Sequence, residues 1–145
     1  MIDTHAHLFY LKKPLKDSVA AARKAGVSHV INVGVDIASS FKALDQATQY
    51  PDFLSATIGV HPCDQEGTVD CNQLKQDAKN HSFVAIGEIG LDYHHMVTPK
   101  KQQICLFESQ LQIAQDLKLP AIIHSRQSDN DMATIVKNFP KVKKV

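Results

Sequence analysis

Eight histidines stand among 145 residues, and four of them sit where short apolar runs end. The first run reads Asp3-Thr4-His5-Ala6-His7. Side chains alternate faces along a strand, so His5 and His7 point the same way. Two imidazoles on one face near a strand end can chelate a divalent cation. The competing reading is a pair of histidines on an exposed edge.

A second run covers Val84 to Leu91, and Glu88 is the one charge inside it. An unpaired carboxylate in apolar surroundings costs several kcal/mol, so Glu88 must be neutral, ion-paired to a basic side chain, or bound to metal. A third run, Pro120 to Ile123, ends in His124. A fourth, Ile58 to Val60, ends in His61, a residue suited to touching a substrate phosphate, to supporting a metal site, or to plain packing. Asp92 and Arg126 lie just beyond strand ends. Asp92 can order the loop or a metal ligand, and the planar fork of Arg126 can pair a phosphate. A structural ion pair is the alternative for both.

The elements that must position these residues alternate strand and helix. Strands are expected over 1–7, 29–35, 54–60, 83–89 and 120–124. Helices are expected over 15–24, from Ser39 or Ser40 as cap to Pro51, over 72–80, from a Thr98 cap with Pro99 in the first turn to Pro120, and over 128–138. Gly26 can close the first helix. Residues 141–145 look like the approach to a sixth strand. This order predicts one α/β domain with a parallel sheet, whose strands are buried on both faces and so carry unbroken apolar runs.

Composition sets outer limits. Hydrophobic residues make up 43% and charged residues 21%, with 16 basic against 15 acidic side chains and a net charge of +1. A protein that coats nucleic acid without specificity is normally more basic, so any contact with DNA must be local. No apolar run reaches the roughly 18 residues of a membrane span, and the N-terminus lacks the pattern of a signal peptide, so a cytoplasmic location is expected. Cys63, Cys71 and Cys105 are odd in number and lack CxxC spacing, which argues against disulfides and a cysteine zinc site. Cys105 reads as a core residue and Cys63 as a small hydrophobe. His29 and His81 read as structural or solvated; His94 and His95 lie in the loop after Glu88, within reach of a substrate, but loop histidines are usually solvated.

Taken together, DTHAHL at 3–8, IGVHP at 58–62, AIGEIGLDY at 85–93, LPAIIHSR at 119–126 and the helix at 102–120 resemble the TatD family of metal-dependent deoxyribonucleases. The resemblance implies a (β/α)8 TIM-type barrel with its site at the C-terminal ends of the strands. It implies that His5 and His7 hold one metal, that Glu88 bridges two, and that His124 holds the second. The ions would be Mg2+, Mn2+ or Zn2+, and they would activate a water to cleave phosphodiesters of single-stranded or 3′-ended DNA.

Such barrels run to about 250 residues. Five β/α units are present here, which implies the N-terminal portion of a single barrel domain, truncated before a further histidine on strand six and an aspartate base on strand eight. Exposed edges at strands one and five are then expected to favour association, and the chain alone is expected to be poorly stable and nearly inactive.

Overall fold

The structure is a computed structural model that describes residues 1–64 and 67–145. Five strands, β1 (Ile2–Ala6), β2 (His29–Asn32), β3 (Leu54–Ile58), β4 (Phe83–Asp92) and β5 (Ala121–Arg126), alternate with five helices. These are α1 (Leu15–Lys24), α2 (Ile37–Gln49), α3 (Cys71–Asn80), α4 (Lys100–Leu117) and α5 (Asp129–Lys137). A short 3-10 turn, Leu8–Tyr10, follows β1. All strands are parallel, and their order in the sheet is their order in the chain. Every C-terminal strand end therefore faces the same way, as the apolar runs and helical crossovers predict.

The central strands β3 and β4 are largely buried on both faces, while β1 is mostly exposed. On the helix side Ile58, Ile86, Ile89 and Leu91 join Phe107 and Leu111 of α4 in one core, all fully buried. On the other side Val33, Ala85 and Ile122 form a small second cluster with Ile31. Double burial is why these strands lack the alternation of polar and apolar residues seen in one-sided sheets.

Helix ends depart from expectation in instructive ways. α1 does end at Gly26, which lies at φ +83°. Gly26 N–H donates to Arg23 O and Val27 N–H to Ala22 O, the paired bonds of a Schellman closure. α2 is capped not by Ser39 or Ser40 but by Asp36, whose side chain accepts from Ser39 N–H at 2.6 Å, while the Ser39 hydroxyl accepts from Asp36 N–H. Both serines lie inside the first turn, and Ser40 donates back to Asp36 O. Before α4, Pro99 itself occupies the cap position, and the Thr98 hydroxyl donates to Pro62 O. Cys105 is exposed on α4 and not in the core. β4 runs on to Asp92 and β5 to Arg126, further than the apolar runs suggest.

The predicted approach to a sixth strand lies beside β5. Ala121 N–H donates to Lys143 O, Ile123 N–H to Val145 O, and Val145 N–H to Ala121 O. The edge of β5 is thus partly covered, contrary to the expectation of a bare edge, while β1 has one strand neighbour among the described residues.

Two buried glutamines of α4 tie the helix layer to the strand ends. Gln110 accepts from Val60 N–H at 2.8 Å and donates to Val60 O at 3.0 Å. Gln103 accepts from Asp92 N–H at 2.8 Å and donates to the carbonyls of Asp92 and Thr98. Each completes backbone pairing where the strand ladder stops. Gly90 allows the closest approach within the sheet. It sits at φ +148°, and a Cβ there would lie 2.0 Å from the carbonyl oxygen of His124.

Replacing Gln110 with Leu keeps the volume but strands both polar groups of Val60. Each orphaned group costs about 1–3 kcal/mol. Urea unfolding of Gln110→Leu should show a clearly lower midpoint at an unchanged slope.

Candidate metal centre

The strand ends bring four side chains around one carboxylate. Glu88, 7% exposed, lies within β4 with its N–H donating to Gly34 O. Its Oε2 lies 3.1 Å from His5 Nε2 and 3.6 Å from His7 Nε2. Its Oε1 lies 3.3 Å from His124 Nδ1 and 3.9 Å from His61 Nε2. The carboxylate thus faces two histidine pairs, one with each oxygen. No Lys or Arg pairs with it among the described residues, so the alternative of a buried Lys or Arg ion pair does not hold.

Each histidine is oriented by a second partner. The two rings of β1 and its end face one way, as alternation requires, with their Nε2 atoms 3.3 Å apart. His7 Nδ1 meets Val33 O at 2.7 Å, a bond that only Nδ1–H can make, which leaves Nε2 as the ring nitrogen facing Glu88. His124 Nε2 meets Asp92 Oδ2 at 3.0 Å, leaving Nδ1 toward Glu88. This carboxylate–histidine arrangement is the usual support of a metal-binding imidazole. His61, just past β3, has Nδ1 within 3.1 Å of Cys63 N–H and 3.2 Å of Asp64 Oδ2.

Electrostatics follow the geometry. Burial pushes the Glu88 carboxyl upward, but hydrogen bonds from His124 and His5 and the charge of His5 outweigh it and hold it well below the usual carboxylate range. The Glu88 hydrogen bond raises His5, and the same partner raises His124 with help from Asp92. Burial lowers His61, against the opposing pull of Glu88. Asp92 is 1% exposed. Burial raises its carboxyl, and hydrogen bonds from the His95 backbone, the His95 and His124 rings and Cys63 overcome this and lower it. Burial and the neighbouring Asp92 push the Cys63 thiol up to about 11.

The donor set fits a divalent cation. His5, His7 and Glu88 offer three atoms 3.1, 3.3 and 3.6 Å apart. Ligands about 2.0–2.1 Å from one ion at tetrahedral angles are about 3.4 Å from each other, so these spacings need little adjustment. His61, Glu88 and His124 form a second such group through the other oxygen of Glu88.

Sequence reasoning left out His95. Its ring Nδ1 lies 2.9 Å from Asp92 Oδ2, and its N–H, with that of His94, donates to Asp92 Oδ1. The signal available was its place three residues after Asp92. Arg126 is exposed at the end of β5 and makes no side-chain ion pair among the described residues.

A parallel β/α sheet with histidines and a carboxylate gathered at its C-terminal edge is the arrangement of a metal site in a β/α barrel. The model of the family described as TatD related DNase matches residues 2–145, and the chain belongs to that family. It is 36% identical over 141 residues to the uncharacterized metal-dependent hydrolase YabD of Bacillus subtilis, covering 94% of this chain and 55% of that protein. It is 35% identical over 128 residues to the 3′-5′ ssDNA/RNA exonuclease TatD of Erwinia tasmaniensis, covering 86% and 49% respectively. Among solved structures, the TatD homologue YjjV of Escherichia coli superposes with a TM-score of 0.86 at 30% identity, over 96% of this chain and 56% of that one. The chain thus spans about half the length of the relatives it matches.

Binding a metal requires His5 and His124 to give up the protons that Glu88 helps them keep. Their pKa values are raised, so the neutral, binding form is reached only at higher pH. Calorimetric titration of Mn2+ should show affinity rising with pH through this window, then levelling above it, with proton release in the lower range. Glu88→Gln should weaken binding at every pH.

Proposed function

We propose that the residues gathered here form part of a two-metal hydrolytic centre that cleaves phosphodiesters from the 3′ end of single-stranded nucleic acid. The observation that carries this reading is Glu88 facing one histidine pair with each carboxylate oxygen. His5, His7 and Glu88 would hold one divalent ion, and His124 with Glu88 the second, with His61 beside it. Bound there, such ions supply an activated water and stabilise the charge on the departing oxygen.

The remaining roles belong to the chain itself. Val33 O fixes the ring of His7, and Asp92 fixes that of His124. His61 lies beside the second group, its Nδ1 accepting from Cys63 N–H and its Nε2 toward Glu88. Arg126 carries an exposed, always charged fork at the same sheet edge, suited to a phosphate two oxygens at a time. Support for a nucleic-acid substrate comes from the turn after β1. Phe9 and Tyr10 lie 5.9 and 6.0 Å from the ring of His7, and Tyr10 is 64% exposed. An exposed aromatic beside the reacting centre gives a base a face to stack on. The exonuclease named among the relatives points the same way.

We take residues 1–145 as one continuous portion of a barrel domain, and the resemblance assigns a further histidine and a general-base aspartate to later strands. Turnover by the 145-residue chain alone is therefore expected to be slow. Hydrolysis of another ester or of an amide is the rival within the same architecture.

Incubating the chain with a 3′-labelled DNA oligonucleotide and Mg2+ or Mn2+ should release mononucleotides from the 3′ end. Chelation should stop this, and Glu88→Ala should reduce it by at least about 100-fold. Turnover of lactone or amide substrates without nucleotide release would favour the rival. Metal binding with no turnover of any substrate would leave a binding module only.

The stacking role is separable. Tyr10→Ala should raise KM for an oligonucleotide by roughly 5- to 100-fold with little change in kcat, as expected for losing one stacked base. Tyr10→Phe should restore it.

A further inference from the structure

We propose that Cys63, Asp92 and His95 form a separate binding site for a soft divalent cation of the zinc class, next to the histidine–glutamate centre. The proposal goes beyond the hydrolytic reading and does not depend on which bond is cleaved. Three side chains from two neighbouring loops and a strand end supply one sulfur, one oxygen and one nitrogen, all within 4.8 Å of one another. Cys63 Sγ lies 3.8 Å from His95 Nδ1, and His95 Nδ1 lies 2.9 Å from Asp92 Oδ2. Around zinc, with bonds of about 2.3 Å to sulfur and about 2.1 Å to nitrogen, a tetrahedral S···N separation is about 3.6 Å. The cluster needs only a slight opening of the nitrogen–oxygen pair.

Asp92 is built for such a role. It is 1% exposed and has no Lys or Arg partner among the described residues. Its Oδ1 is held by two backbone N–H groups, those of His94 and His95, at 2.9 and 2.8 Å. That clamp fixes Oδ2 toward His95 on one side and His124 on the other. Cys63 is half-buried and the His95 side chain is 49% exposed, so a cation can enter from solvent.

Donor chemistry separates this site from its neighbour. The main centre offers only imidazole and carboxylate, which serve Mg2+, Mn2+ and Zn2+ alike. A thiolate selects zinc-class ions over Mg2+ or Mn2+. On binding, the Cys63 S–H bond breaks, its proton leaves to solvent and a sulfur–metal bond forms. His95 gives up the Nδ1 proton that it donates to Asp92 Oδ2, carries its ring proton on Nε2 instead, and turns the freed Nδ1 lone pair to the ion. No electron changes hands. Because Asp92 Oδ2 also holds His124, filling this site would couple to the ring that faces Glu88.

Titration of the 145-residue chain with Co2+ tests this directly. A near-ultraviolet thiolate-to-cobalt charge-transfer band should grow and reach a plateau as Co2+ is added. Glu88→Ala and the Cys71→Ser/Cys105→Ser double variant should keep the band. Cys63→Ser should abolish it, and His95→Ala should weaken cobalt binding at this site by at least about 10-fold. In the unmodified chain, Zn2+ should slow alkylation of Cys63 relative to Cys105, read by peptide mass, whereas Mg2+ should not. Absence of the band at saturating Co2+, its survival in Cys63→Ser, or equal alkylation of Cys63 with and without Zn2+ would overturn the proposal.

Discussion

Everything at the sheet edge depends on one buried negative charge. Glu88 is enclosed by apolar residues of its own strand, and no Lys or Arg reaches it among the described residues. A carboxylate left unmatched there would cost several kcal/mol. The match comes from four imidazoles on three other chain segments, two facing each oxygen. β1, the end of β3 and β5 must therefore converge on β4, and the carboxylate is as much a constraint on the sheet as a product of it. Hydrogen bonds with His5 and His124 stabilise its charge, and a divalent ion held by the same atoms would take their place. The same interaction sets local charge, ligand direction and strand convergence.

The scaffold answers that constraint with small, buried devices. Gly90 lets β4 and β5 approach so closely that any side chain would strike the carbonyl of His124. Gln103 and Gln110 reach from α4 to finish the backbone pairing of residues 92 and 60, adjoining Asp92 and His61. Asp92 then holds His124 while its other oxygen organises the loop that carries His94 and His95. The chain of support runs from helix to strand end to ligand, and the donor atoms inherit the rigidity of the core.

Much of this was legible in the residues. Alternation put His5 and His7 on one face, and the lone charge at Glu88 demanded a partner. Unbroken apolar runs identified strands covered on both sides. What escaped was polar and non-local. Two adjacent serines looked like caps for α2, yet Asp36 wins because its carboxylate reaches the N–H of Ser39 while Ser39 bonds back. Cys105 sits in an apolar stretch of α4, but the buried face of that helix is set by Gln103, Leu106, Phe107 and Gln110, which leaves Cys105 outside. Periodicity treats glutamine as surface, so the clamps at 103 and 110 could not be seen. Loop histidines are usually solvated. His95 departs from that rule only because a turn held by Asp92 folds it back.

The neighbour-by-neighbour order of the sheet has a consequence for how the molecule is made. Each strand pairs with the one synthesised just before it, and even residues 143–145 follow this rule by joining β5. Among the described residues no strand waits for a distant partner, so loop-closure entropy stays modest at each of these steps. A chain emerging from the ribosome could add one β/α unit at a time onto an existing template. The ligand cluster would then mature late, since His5 and His7 leave the ribosome first but acquire their carboxylate only after β4 docks, and their last imidazole partner only with β5.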